Sequence, residues 1–359
     1  MARILYAASV IGHIDAFHTP YIDALRSTGH TVTVMANGEG ADINIPFEKK
    51  IFSRKNRACR KMIREAVRSG VLDALIINTT LAAYHIRRAI GSHFAGRVVN
   101  VVHGYLFPMK KRSLKGRLML LAEKLLKKRT DAVLVMNRED LEIAEKYKLS
   151  AEAPIFIPGM GATCEAALTS RADMRQRLNL EDKFVLTFVG ELSGRKNQAY
   201  LITALPEIKA HIPNAHLLLV GEGDERETLT SLIKARGLSD SVTLLGKRSD
   251  PCDVIRASDL YVSASVSEGL PFNIIEALGV GIPIVASRVK GQVDLLVEGA
   301  GLLYDLEDKD SFVNAVSAVY QGEVKLDPTV AKATFDKYSF DTVFKKTYSA
   351  ICKAVGIAP

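Results

Sequence analysis

Residues 265–283, SVSEGLPFNIIEALGVGIP, carry two carboxylates, Glu268 and Glu276, separated by seven residues with Pro271 between them. Proline suits the first position of a helix, so a helix is expected to open at Pro271. That puts Glu268 in the preceding loop and Glu276 about a turn and a half inside. The unpaired amides at a helix start, with the helix dipole behind them, favour an anion such as a diphosphate. Pro271 has no N–H, which leaves Gly269, Leu270 and Phe272 as the expected donors. Carboxylates on either side can accept hydrogen bonds from the paired hydroxyls of a sugar or a ribose. On spacing alone, an exposed helical Glu276 and a capping Glu268 fit as well.

A second loop, GELSGRKN, begins at Gly190 and brings Arg195 and Lys196 side by side. Adjacent cations at a strand-to-helix turn can stabilise the charge that develops on a departing diphosphate, although a solvated pair has the same pattern. A third loop, GKRSD, offers Lys247 and Arg248 and could hold a base. Earlier in the chain, His103 and Gly104 follow an apolar run and could meet a ligand there. Gly12 lies in an expected loop, residues 9–14, where it would let backbone approach a ligand. Neither a GxGxxG pattern nor an acidic end to the second strand, TVTVMANG, is present, which argues against a nicotinamide dinucleotide fold.

The elements that must position these loops alternate along the chain. Short apolar runs at 4–8, 31–36, 74–77, 98–102 and 132–136 are separated by helical patterns at 20–27, 57–67, 81–90 and 114–128. The second half repeats this, with runs at 184–189, 216–220, 242–245, 260–263, 283–286 and 301–303. Helical stretches at 197–209, 225–236, 251–256, 272–279 and 309–320 divide them. Continuous apolar strands alternating with helices mean parallel sheets covered on both faces, hence two doubly wound α/β domains. A length of 359 residues also favours two cores over one. The expected divisions are 1–165, 166–335 and a terminal helix within 336–359 that packs back on the first domain. Ligands of such sheets bind beyond the C-terminal strand ends, so a cleft between two facing sheets is where chemistry is expected.

Charge is unevenly distributed. Residues 1–170 hold 26 Lys and Arg against 15 Asp and Glu, while the remainder holds 22 against 25. Two segments, 49–68 and 110–129, carry most of the excess. The second reads as a basic helix with Leu118, Met119, Leu121 and Leu125 on its apolar side. It could lie on anionic lipid or simply dock on its own domain. The basic residues are not interleaved with aromatics, and no nucleic-acid-binding signature is present, so no nucleic-acid partner is expected. Cys59, Cys164, Cys252 and Cys352 have no metal-ligand spacing and read as small hydrophobes in a reducing compartment. The apolar stretch 4–11 is interrupted by Gly12, His13 and Asp15, which fits a first core strand rather than a signal peptide. No run has the 18 or so apolar residues of a membrane span, and a cytoplasmic protein is expected.

The segment EGLPFNIIEALGVGIPIVAS resembles the E-x7-E signature of glycosyltransferase family four, retaining enzymes of the two-domain GT-B fold. HIDAFHTPYIDALRSTGHTVTVMANG, NVVHGYLF, NREDLEIAEKY and IPGMGAT are similar to its capsular and exopolysaccharide branch, as are VGELSGRKN and LGKRSD. The resemblance implies that Glu268 faces the donor sugar beside the 269–272 backbone, and that Glu276 holds the ribose. It further implies that His103 contacts the donor sugar, that Gly12 lies beneath the diphosphate, and that Lys196 binds it. Glu191 departs from the pattern, since many members carry arginine there. Arg195 is expected to substitute.

The resemblance implies a retaining transfer from a nucleoside diphosphate sugar, a UDP-sugar foremost, through an oxocarbenium-like transition state. The expected acceptor is a lipid-linked saccharide at the inner face of the cell membrane, which gives the basic helix a role. No metal is expected, because cations and a helix start hold the diphosphate and no DxD motif lies at a suitable loop; 305–308, DLED, is too far along. The competing readings are a sugar-nucleotide 2-epimerase of the same fold and, prompted by Glu191, a non-catalytic partner subunit.

Overall fold

The computed structural model describes residues 1–48, 51, 53–91, 94–109, 113–164, 168–324 and 327–359. The expected boundary at 165/166 lies outside the described residues, as do Lys49, Lys50 and residues 110–112 of the basic segments. The chain forms two compact units, one of Met1–Gly161 with Phe340–Pro359, the other of Ala162–Ser339.

The first unit holds strands β1 (Arg3–Ala7), β2 (Thr31–Ala36), β3 (Ile43–Asn44), β4 (Ala74–Asn78), β5 (Arg97–Val102), β6 (Ala132–Val135) and β7 (Ile155–Phe156). They form one parallel sheet in the order β3-β2-β1-β4-β5-β6-β7. The second unit holds β8 (Phe184–Val189), β9 (Ala215–Val220), β10 (Val242–Gly246), β11 (Leu260–Ser263), β12 (Ile284–Ser287) and β13 (Leu302–Tyr304). Their order is β10-β9-β8-β11-β12-β13, again all parallel. Each is therefore a Rossmann-like sheet whose strand order reverses once, between β1 and β4 and between β8 and β11. The central strands are buried on both faces, which is why they read as unbroken apolar runs. The edge strands β3 and β7, two residues each, carry no such run and were not anticipated.

The terminal helix Phe340–Val355 packs against β5 and β6 of the first sheet. Thr347 Oγ1 donates to the Gly159 carbonyl at 2.7 Å, and Arg97 Nε donates to the Ala354 carbonyl at 2.7 Å. Where the chain leaves this unit, Gly161 has φ +85°, and a Cβ there would sit 2.5 Å from Phe340 Cα. Only glycine fits that approach.

The basic helix spans Leu114–Leu126. Met119, Leu120 and Leu126 are buried, whereas Leu114, Leu118, Leu121 and Leu125 face out. Met119 thus belongs to the core and not to one apolar side shared with the leucines. The fully buried Arg87, on helix Thr80–Ile90, pins this helix. Its Nη2 meets Glu123 Oε1 at 2.8 Å, Nη1 reaches Thr130 Oγ1 at 3.1 Å, and Nε reaches the Ala83 carbonyl at 2.9 Å. Removing one partner of a buried ion pair strands the other charge. Arg87→Ala should therefore cost about 3–5 kcal/mol of unfolding free energy in urea, and Arg87→Met combined with Glu123→Leu should recover most of it. Additive losses in the double variant would show that the pair is not the cause.

Candidate functional site

The loops after β8 and β11 flank the point where the second sheet's strand order reverses, the place such sheets bind ligands. Their side chains meet there. Glu268 is buried, and its Oε1 accepts from Lys196 Nζ at 2.6 Å and its Oε2 from Arg195 Nη1 at 2.9 Å. Arg195 Nη1 also reaches the Ser267 carbonyl at 3.1 Å. Burial alone would push the Glu268 carboxyl up. The charges of Lys196 and Arg195, with hydrogen bonds from Lys196 and Ser265, outweigh it and hold the group below its ordinary value. Burial and the neighbouring Arg195 charge lower the Lys196 ammonium, against the opposing pull of Glu268. Sequence reading thus identified three residues of one ion cluster without showing that they touch.

A buried polar layer holds the β11 loop in place. Gln292 Nε2 donates to Ser263 Oγ at 2.7 Å, Ser287 Oγ to the Ser265 carbonyl at 2.6 Å, and Tyr304 OH to the Ser263 carbonyl at 3.1 Å. None of the four side chains, Gln292, Ser263, Ser287 and Tyr304, was anticipated, since Ser, Gln and Tyr in apolar surroundings leave no spacing signal. Backbone crowding completes the frame. A Cβ on Gly291 would sit 2.3 Å from the Gly269 carbonyl oxygen, and one on Gly221 2.0 Å from that of Gly190, so both positions exclude a side chain.

The helix of the carboxylate segment spans Phe272–Val280, and Pro271, with extended backbone, is its cap rather than its first residue. The residue before a helix needs non-helical φ/ψ, which proline's fixed φ permits. Asn273 Nδ2 donates to the Val189 carbonyl at 2.7 Å, tying the helix start to the end of β8. Leu270 is buried beside this turn.

Glu276 lies in the helix's second turn and lines a cavity of about 160 Å³ with Thr163, Ser249, Asp250, Cys252 and Asp253. Burial, with a smaller contribution from Cys164, pushes its carboxyl up to about 7. Arg248 pairs with Asp250 through contacts of 2.7 and 2.6 Å, so it acts first on the shape of its own loop. Lys247 is exposed on that loop. Cys164 and Cys252 share a hydrogen bond that lowers the Cys164 thiol to about 7 and raises Cys252, so these two are neighbours and not isolated hydrophobes.

Gly12 and His103 belong to the first unit. Gly12 lies in the exposed first turn of helix Ile11–Phe17, not in a loop, and a Cβ there would meet nothing within 4 Å, so no close approach demands glycine. His103 follows β5 and stands against two histidines that sequence reading did not group with it, His13 and His18.

The family model described as "Glycosyl transferases group 1" matches residues 170–334, the span that holds the ion cluster. An Escherichia coli protein named UDP-Gal:alpha-D-GlcNAc-diphosphoundecaprenol alpha-1,3-galactosyltransferase is 31% identical over 259 residues, 69% of this chain and 67% of its own. The chain belongs to the group 1 glycosyl transferases. Another relative of this glycosyltransferase, EpsD of Bacillus subtilis, itself named only as a candidate glycosyltransferase, is 28% identical over 333 residues, 89% of this chain and 87% of its own. The solved structure of HepE from Anabaena, in complex with UDP and glucose, superposes with a TM-score of 0.79 at 20% identity, covering 98% of this chain and all of that one. The shared fold is GT-B.

The Glu276 environment has a stability consequence. Its folded carboxyl titrates near 7 instead of 4.5, so the folded state keeps a proton that the unfolded chain releases. That contribution is complete below about pH 4.5 and is lost as pH rises through about 7. The wild-type melting temperature should fall relative to Glu276→Gln between those limits, with a constant gap above them. A gap independent of pH would mean an ordinary carboxylate.

Proposed function

We propose that this glycosyltransferase moves a sugar, with retention of configuration, from a UDP-sugar to a lipid-linked saccharide in the synthesis of a bacterial surface polysaccharide. The observation that carries the donor half of this reading is the Glu268–Lys196–Arg195 cluster at the strand-order reversal of the second sheet. Lys196 and Arg195 are the cations for the departing diphosphate, with Gly190 and the backbone of Gly269, Leu270 and Phe272 beside it. Glu268, kept ionised by those cations, faces the sugar. Glu276 takes the ribose hydroxyls, and Lys247 and Arg248 shape the base side.

Arg195 fills the role that the family gives to an arginine at the Glu191 position. The support is local: Arg195 reaches Glu268, while Glu191 is exposed and offers its carbonyl to Gln198. The transition state is oxocarbenium-like, and the two cations stabilise charge that is absent from the ground state, so their removal acts on kcat. The diphosphate needs no hard divalent ion here, and added Mg²⁺ or Mn²⁺ should leave turnover unchanged.

Donor binding to the native state alone raises the melting temperature. A panel of nucleoside diphosphate sugars should therefore stabilise the wild type, with UDP-sugars giving the largest rise. Arg195→Ala and Lys196→Ala should each lower kcat by about 100-fold. Unchanged rates in both variants would remove these residues from the site.

The acceptor half rests on the relative whose name includes a diphosphoundecaprenol acceptor and on the helix Leu114–Leu126. Leu114, Leu118, Leu121 and Leu125 recur at four- and three-residue spacing on one outward face, with Leu114 76% and Leu125 70% exposed. Lys115, Arg117, Lys124, Lys127 and Lys128 accompany them. Apolar side chains beside cations suit the boundary of an anionic membrane. No helix among the described residues is long and apolar enough to cross a membrane. The protein should float with liposomes containing anionic lipid and much less with neutral ones, and replacing the four leucines by serine should abolish flotation. Equal recovery with both lipids would discard the membrane contact.

A further inference from the structure

Three imidazoles converge at the C-terminal ends of β1 and β5 in the first unit. His13 lies on helix Ile11–Phe17, His18 between that helix and helix Thr19–Ser27, and His103 just after β5. The break in the helix at His18, with φ −120° and ψ −17°, turns it toward His13, which an unbroken helix would not allow at a spacing of five. His18 Nε2 lies 3.4 Å from His13 Nε2 and 3.0 Å from His103 Nε2, and all three ligand atoms lie within 4.8 Å of one another.

Two facts make this more than a stack of rings. First, one neutral imidazole nitrogen gives one proton or one lone pair, so His18 Nε2 cannot satisfy two facing nitrogens well by hydrogen bonding alone. A cation can serve all three. Zinc–nitrogen bonds of about 2.0–2.1 Å put tetrahedral ligands roughly 3.4 Å apart, close to the two separations at His18. Second, the opposite edge of His18 is fixed: its Nδ1 lies 2.8 Å from the buried Tyr6 hydroxyl. Metal-bound histidines characteristically have such an outer partner, which sets the ring's orientation and tautomer.

We propose that His13, His18 and His103 form a three-histidine site for a divalent transition cation, zinc foremost. Nitrogen-only ligation disfavours Mg²⁺ and Ca²⁺, which take oxygen, so this ion is distinct from any at the diphosphate. A metal takes the neutral form of each ring. Three protein ligands leave a further coordination position for water or a hydroxyl oxygen, as in catalytic zinc sites.

The test uses the full chain carrying no histidine tag, loaded with Zn²⁺, dialysed against metal-free buffer and analysed for metal. About one zinc per chain should remain. His13→Gln and His103→Gln should each lose it, while Cys164→Ser with Cys252→Ser should keep it. Tyr6→Phe, which preserves the packed ring, should weaken zinc binding by about 10–100-fold. Should a histidine variant fail to fold, wild-type protein loaded with Co²⁺ decides: nitrogen ligation gives visible d–d bands with no thiolate charge-transfer band. Absence of stoichiometric zinc, a thiolate band, or retention unchanged in both histidine variants would leave only hydrogen-bonded imidazoles and overturn the proposal. Metal content is read without turnover, so this outcome is separate from that of the donor reading.

Discussion

The constraint on which the second unit depends is a carboxylate kept ionised while nearly withdrawn from water. Glu268 is 6% exposed and Lys196 8%. A buried charge of this kind persists only with close, well-aligned partners. Two cations and the Ser265 hydroxyl provide them. Because the contacts at Glu268 are short, the β8 loop and the β11 loop cannot shift independently. The sheet supplies the rigidity: β8 and β11 are paired neighbours, and Tyr261 OH, rising from β11, donates to the Val189 carbonyl at 3.3 Å. On the proposed reading, an anion arriving here meets cations already oriented, with little reorganisation left to perform.

The same geometry explains why glycine and small polar residues are concentrated around the cluster. Loops that converge on one carboxylate bring their backbones into contact, and the carbonyls of Gly190 and Gly269 leave no room for a Cβ on Gly221 or Gly291. Ser263, Ser265, Ser287 and Gln292 then satisfy one another beneath the loop, where water does not reach.

The alternation of apolar runs and helices was legible because strands buried on both faces must be apolar throughout. Edge strands β3 and β7 were not, since two residues carry no period. The ion cluster was legible as types at loop positions, because strand ends constrain where loops can reach. Its pairing was not, since Lys196 and Glu268 are 72 residues apart and only the sheet order joins them. Two local errors have one cause. Residue type favours a loop at Gly12 and a first helical position at Pro271, while the neighbouring backbone decides both. The histidine group escaped notice for a related reason: its spacing suits no continuous helix, and the break at His18 is invisible in the sequence.

The helix Leu114–Leu126 raises the opposite problem, a sequence with too much apolar signal. Leucines occupy both sides of it, so hydrophobicity alone permits more than one rotation against the sheet. Glu123 removes the ambiguity. A buried carboxylate must find a cation, and only the face bearing Met119, Leu120 and Leu126 brings Glu123 to the fully buried Arg87. That choice forces Leu114, Leu118, Leu121 and Leu125 outward, where a helix stabilised only by its own domain would carry polar side chains. The buried ion pair and the exposed leucine stripe are thus two sides of one rotation, and the helix keeps an apolar face that its own core does not cover.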